Sequence, residues 1–153
     1  MNTAAKPVRL ISILLMLAGL IMLAAGATTW FTVQSQLADE RITVSEDAAM
    51  FGGEAIDGPL TAYAEAQVIE KHALAASGGK TYAELDKEDP TRATVMNGSF
   101  LRASLFTSVV SFGISALVMG LAIVVALTGY SLFLVSRTLA GAPAPAEAPA
   151  SAS

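Results

Sequence analysis

Cysteine is absent from this chain, which removes disulfides, thiolate metal sites and a cysteine nucleophile together. Histidine occurs once, at position 72. A non-haem iron site wants two histidines and a carboxylate, and a catalytic zinc site wants several imidazole or thiolate ligands, so one copy of the chain supplies neither. Charge is also scarce. Asp, Glu, Lys and Arg make up 14% of the 153 residues, against about 25% in an average soluble domain. Net charge is −4 and no run of Lys or Arg occurs, so nucleic acid is not an expected partner.

The missing charge is concentrated in two blocks. Ala103–Ser136 contains no Asp, Glu, Lys, Arg, His or Pro in 34 positions and is closed by Arg102 and Arg137. Leu10–Phe31 is 22 residues without a charge, preceded by Lys6 and Arg9 and ending in Trp30 and Phe31. A hydrocarbon core about 30 Å thick needs ~20 apolar residues in a helix, so both runs read as membrane spans, the second with a turn or more to spare. A cleaved signal peptide, with Ala25-Gly26-Ala27 as its processing site, is the alternative for the first run. Its apolar core would normally be only about 7–15 residues. Neither span holds an ionisable residue, so no ion pathway or proton relay is expected within this chain alone.

These runs predict a mostly α membrane protein with two antiparallel transmembrane helices. The expected parts are a cytoplasmic N-terminus 1–9, a first span 10–31, a small α-rich extracytoplasmic domain 32–102, a second span 103–136 and a disordered Ala/Pro-rich cytoplasmic tail 137–153. Lys6, Arg9 and Arg137 favour both termini in the cytoplasm of a plasma-membrane protein. Residues 32–102 carry 12 acidic against 6 basic groups, which an anionic inner leaflet would repel.

Within that domain, Arg41-Ile42-Thr43-Val44 alternates like a short strand, and Phe51-Gly52-Gly53 and Asp57-Gly58-Pro59 are turn chemistry. Leu60–Ser77 is rich in Ala, Glu, Gln and Leu and is followed by Gly78-Gly79, so it reads as a helix with its stop. Thr81 to Glu84 has capping-box spacing. Asp89-Pro90 is the expected start of a helix that continues into the second span, with a bend at Asn97-Gly98.

Small residues let transmembrane helices approach closely. Gly19 and Gly26 on the first span and Gly113 and Gly120 on the second are each seven apart. They predict a left-handed antiparallel pair stacked Gly19 on Gly120 and Gly26 on Gly113, with Ala116, Ser115, Ala18 and Ala25 beside them. The alternative is that glycine is simply frequent in such helices.

Candidate chemistry is thin. Ser77-Gly78-Gly79-Lys80-Thr81 ends like a phosphate-binding loop, but Leu74 stands where that loop needs its first glycine. Glu65 is seven residues before His72, on the same helical face, which would permit a His–carboxylate contact. Asp39-Glu40, Glu46-Asp47 and Asp86-Lys87-Glu88-Asp89 pair acids without a predicted pocket to shift them. No catalytic, cofactor-binding or metal-ligating residue is assigned, and no cofactor is expected.

Two stretches, Val68–Leu85 (VIEKHALAASGGKTYAEL) and Thr94–Ser108 (TVMNGSFLRASLFTS), resemble a family of small actinobacterial double-pass membrane proteins that often carry the label aromatic ring-opening dioxygenase. The resemblance covers most of the chain outside the tail and implies an envelope protein with two spans. The leading functional expectation is a non-enzymatic accessory or scaffold subunit whose partners are the lipid bilayer and another membrane protein, or a second copy of itself. The alternatives are a subunit of a ring-opening dioxygenase and an envelope sensor or ligand-binding module.

Overall fold

The structure is a computed structural model and describes residues 5–141. The chain is mostly helical, and two of its helices are long and apolar enough to cross a membrane: α1, Ala5–Asp39, and α3, Arg92–Gly141. Between them lie α2, Pro59–Ala76, and a single 3₁₀ turn, Tyr82–Glu84. α1 passes through Ala25-Gly26-Ala27 without a break. α3 continues to Gly141, so residues 137–141, expected in the tail, are helical; the rest of that tail, 142–153, lies outside the described residues. The chain divides into two compact units, residues 1–25 with 118–153, and residues 26–117.

The first unit pairs the N-terminal part of α1 with the C-terminal part of α3. The hydrophobic effect contributes little between helices surrounded by lipid, so close packing of small residues has to hold such a pair. Ser12 and Gly19 of α1 are buried here, and so are Ala122, Gly129 and Ser136 of α3. Hydroxyls along the apolar helices bond back to their own helix at several positions. Ser12 Oγ donates to the Arg9 carbonyl and Thr128 Oγ1 to the Val124 carbonyl, which satisfies both groups without water.

The second unit is built around α2. Proline suits the first position of α2 because its missing N–H would be unpaired there anyway. One turn in, the Thr61 hydroxyl accepts from the Gly58 N–H and donates to the Gly58 carbonyl. The helix stops at a pair of glycines in the left-handed region, Gly78 at φ 65° and Gly79 at φ 85°. Gly79 N–H donates to the Leu74 carbonyl and Gly78 N–H to that of Ala75, so these glycines satisfy the helix end. This is what the phosphate-loop-like string does.

Three segments close around α2. Ala62 and Ala66, both fully buried, are in one core with Leu37 of α1, Leu105 and Phe112 of α3, and Val44 and Ile56 of the loop. The loop carries the expected strand only as a single antiparallel bridge, Thr43 to Ala55, flanked by hydrogen bonds from Val44 N–H to the Glu54 carbonyl and from Ile56 N–H to that of Ile42. α3 starts at Arg92, two residues beyond Pro90. Asp89 does not cap it; its carboxylate accepts from the N–H and hydroxyl of Thr91, and the Thr91 carbonyl takes the first helical bond from Val95. Asn97-Gly98 sits inside an uninterrupted helix, and an added Cβ on Gly98 would lie 3.1 Å from the Ala73 Cβ, so glycine is there to let α3 approach α2.

The surplus length of the second apolar run has its explanation in this unit. Trp30, at the end of the first run, meets Phe112 edge to face at 4.7 Å. The stretch before Phe112 therefore has no counterpart in the apolar run of α1. It packs on α2 instead: Phe106 meets Tyr63 at 5.8 Å, and Arg102 binds Glu70 at 2.8 Å.

Candidate functional site

Among the described residues, three places bring polar or close-packing side chains together. The first is the helix pair. A Cβ on Gly19 would fall 2.8 Å from the Ala122 carbonyl oxygen and 2.9 Å from the Ala126 Cβ, and one on Gly129 would fall 2.8 Å from the Ser12 carbonyl and 2.9 Å from the Met16 nitrogen. Gly19 and Gly129 are thus the points of closest approach. Gly26 is buried as expected. Gly113, Ala116 and Gly120 are exposed, and an added Cβ at either glycine meets nothing within 4 Å. The stacking of Gly19 on Gly120 and Gly26 on Gly113 is not what forms.

The reason lies in rotation about α3. Successive residues are turned by about 100°, so Gly120 lies roughly 200° from Ala122, on the far side of the helix. The buried small residues of α3 are Ser115, Ala122, Gly129 and Ser136, and those of α1 are Ala5, Ser12, Gly19 and Gly26, each series spaced by seven. Phe112 and Leu105 continue the buried face of α3. Turning Gly113 inward would expel that aromatic and that leucine from the core of the second unit. Gly129 did not figure in the predicted stacking, although it belongs to the seven-residue series of small residues that ends at Ser136.

The second place is where α2 holds the loop. Glu65 accepts from the Ser45 N–H at 2.7 Å and from the Ser45 hydroxyl at 3.0 Å. About two turns on, Lys71 Nζ and His72 Nε2 both meet Asp47 Oδ2, at 2.8 and 3.0 Å. His72 therefore finds a carboxylate, but Asp47 rather than Glu65, because Glu65 is already taken by the loop backbone. Hydrogen bonds from Lys71 first and His72 second hold the Asp47 carboxyl down to about 2. This trio is exposed, and ion pairs at such sites contribute little stability. It also cannot take the iron that a ring-opening activity would require. The Lys71 ammonium occupies the Asp47 oxygen, and among the described residues no three His, Asp or Glu side chains are grouped to hold a metal.

The third place is a cleft of about 310 Å³ between the end of α2, the 3₁₀ turn and the start of α3, lined in part by Glu70, Ser99 and Arg102. Arg102 is paired with Glu70, faces the Phe106 ring at 5.2 Å, and leaves its Nε buried without an acceptor. The floor of the turn is held by Arg92, which donates to the Leu85 carbonyl at 2.6 Å and stacks over Tyr82 at 4.0 Å. Thr81 gives both its N–H and its hydroxyl to Glu84 at 2.8 Å, the expected capping contact, and these bonds lower the Glu84 carboxyl from its usual value. No nucleophile and base are aligned in the cleft.

Compared with known proteins, the chain matches no family model, no curated protein and no solved structure.

Proposed function

We propose that this chain is a double-pass plasma-membrane protein, with both termini in the cytoplasm and residues 32–102 outside, that serves as a non-enzymatic accessory or scaffold subunit of a larger membrane complex. The observation that carries this reading is the outward face of α3. Gly113 and Ala116, three residues apart in the second unit, lie open, and so does Gly120 in the first, while α1 is held by a different face in each. Small residues left open on an apolar helix are what a further transmembrane helix packs against at close range. The acidic balance of residues 32–102 and the basic residues Lys6, Arg9 and Arg137 support the orientation. The resemblance to actinobacterial double-pass proteins agrees with an envelope location.

The test is affinity purification of the tagged full-length protein in mild detergent, with mass spectrometry of what co-purifies at comparable abundance. A stoichiometric membrane protein that is lost on Gly113→Leu and Gly120→Leu, while the subunit itself stays folded, is the expected result. Recovery of the chain alone, or only as a homo-oligomer, would overturn the accessory-subunit reading.

A further inference from the structure

On one flank of the helix pair, within the first unit, lies a groove of about 470 Å³ that exists because Gly19, Ala122 and Ala126 project so little. Its walls are Met16, Leu20 and Leu23 of α1 and Ile123 and Leu127 of α3, and its one polar lining side chain is Tyr130 at the end nearer the chain termini. Each wall runs down to a cation. Arg9 stands seven residues before Met16 and eleven before Leu20, close to two and three whole turns, so it continues that stripe. Arg137 stands seven residues after Tyr130 and fourteen after Ile123, and it continues the other. Arg9 lies over Phe133, 5.9 Å from the ring centre, one turn beyond Tyr130. Lys6 is one turn further, and all three cations are exposed. No acidic residue occurs among the described residues of this unit, so among them three positive charges gather at one end of an apolar trough without a counter-charge.

We propose that this groove is a binding site for an anionic phospholipid. One acyl chain lies along Leu20, Leu23, Ile123 and Leu127, the Tyr130 hydroxyl sits at the level of the ester region, and the phosphate is held by Arg9, Arg137 and Lys6. The inference rests on reading α1 and α3 as membrane spans, and in the orientation proposed above the lipid belongs to the cytoplasmic leaflet. An apolar groove alone would take any acyl chain. The charge at its end selects the headgroup, since basic side chains just outside a span attract anionic lipids. Lying between two helices, the groove gives an acyl chain two walls where a single convex helix would give one.

The full-length protein is first tested for resistance to alkaline carbonate extraction from membranes, then purified in detergent and titrated with dioleoyl phosphatidylglycerol or dioleoyl phosphatidylcholine, with bound lipid counted by native mass spectrometry. We expect one retained phosphatidylglycerol at concentrations where phosphatidylcholine is not retained. Lys6→Gln, Arg9→Gln and Arg137→Gln should weaken that retention by about fivefold each. Leu127→Trp, which fills the groove, should abolish it, whereas Val124→Trp, outside the groove, should leave it intact. Equal retention of the two lipids, a preference that survives the triple Gln variant, or identical behaviour of the two Trp variants would overturn the site while leaving the membrane spans standing. Release by carbonate would overturn the spans and the site together.

Discussion

Gly19 of α1 lies so close to Ala126 of α3 that a Cβ on the glycine would stand 2.9 Å from that of the alanine, a separation that real Cβ atoms do not adopt. The helices must therefore part before any side chain is accommodated there. Gly19→Leu is expected to destabilise the pair by about 1–3 kcal/mol, the usual cost of overpacking. Gly120→Leu, on the open face, should leave it unchanged. Unfolding of the purified variants in detergent, followed by circular dichroism, separates the two; equal effects would contradict the register.

Glu65 offers a second test, in the other unit. Its carboxylate is the anchor for both the N–H and the hydroxyl of Ser45. Glu65→Ala leaves the loop amide without that charged acceptor, and hydrogen bonds to charged groups are worth about 1.5–3 kcal/mol. Faster amide exchange confined to residues 42–56, with α2 still protected, is the expected signature.

The Asp47 carboxyl is lowered from 3.8 to about 2 by its bonds to Lys71 and His72. A depressed acid stabilises the folded state fully above its unfolded value and loses that contribution as pH falls through the folded one. Stability should thus decline between about pH 4 and pH 2, by a small amount at so exposed a site, and Asp47→Asn should flatten the decline slightly. It should not remove it, because Glu84 and Asp89 are lowered in the same direction by their bonds to Thr81 and Thr91. Denaturant midpoints across that range measure the difference; a steeper decline in Asp47→Asn would show the sign to be wrong.

Arg92 ties the 3₁₀ turn to α3 through the Leu85 carbonyl and the Tyr82 ring. Arg92→Ala should release the turn and uncover Leu85, which is buried, at a cost of about 1–3 kcal/mol. Protease cleavage appearing between residues 80 and 90 would register the loss. Resistance equal to the unsubstituted protein would mean that Leu85 alone holds the turn.

The two long apolar helices, α2 with its glycine stop, and the Thr81–Glu84 cap were all legible from residue order, because each depends on local properties: a run of apolar side chains, helix propensity, or a donor three residues from its acceptor. The same reading placed Gly19 and Gly26 on the buried face of α1. What residue order left open was the rotation and register of α3. Gly113 and Gly120 have the same composition and the same seven-residue spacing as a packing seam, and nothing local distinguishes them from Ser115, Ala122, Gly129 and Ser136. The choice falls to distant partners. Phe112 must meet Trp30, and Leu105 must join Ala62 and Ala66 in one core, so α3 turns Gly113 outward. His72 follows the same logic: its position on a helix was readable, but its partner was decided by which carboxylate the folded loop brought within reach, and that was Asp47.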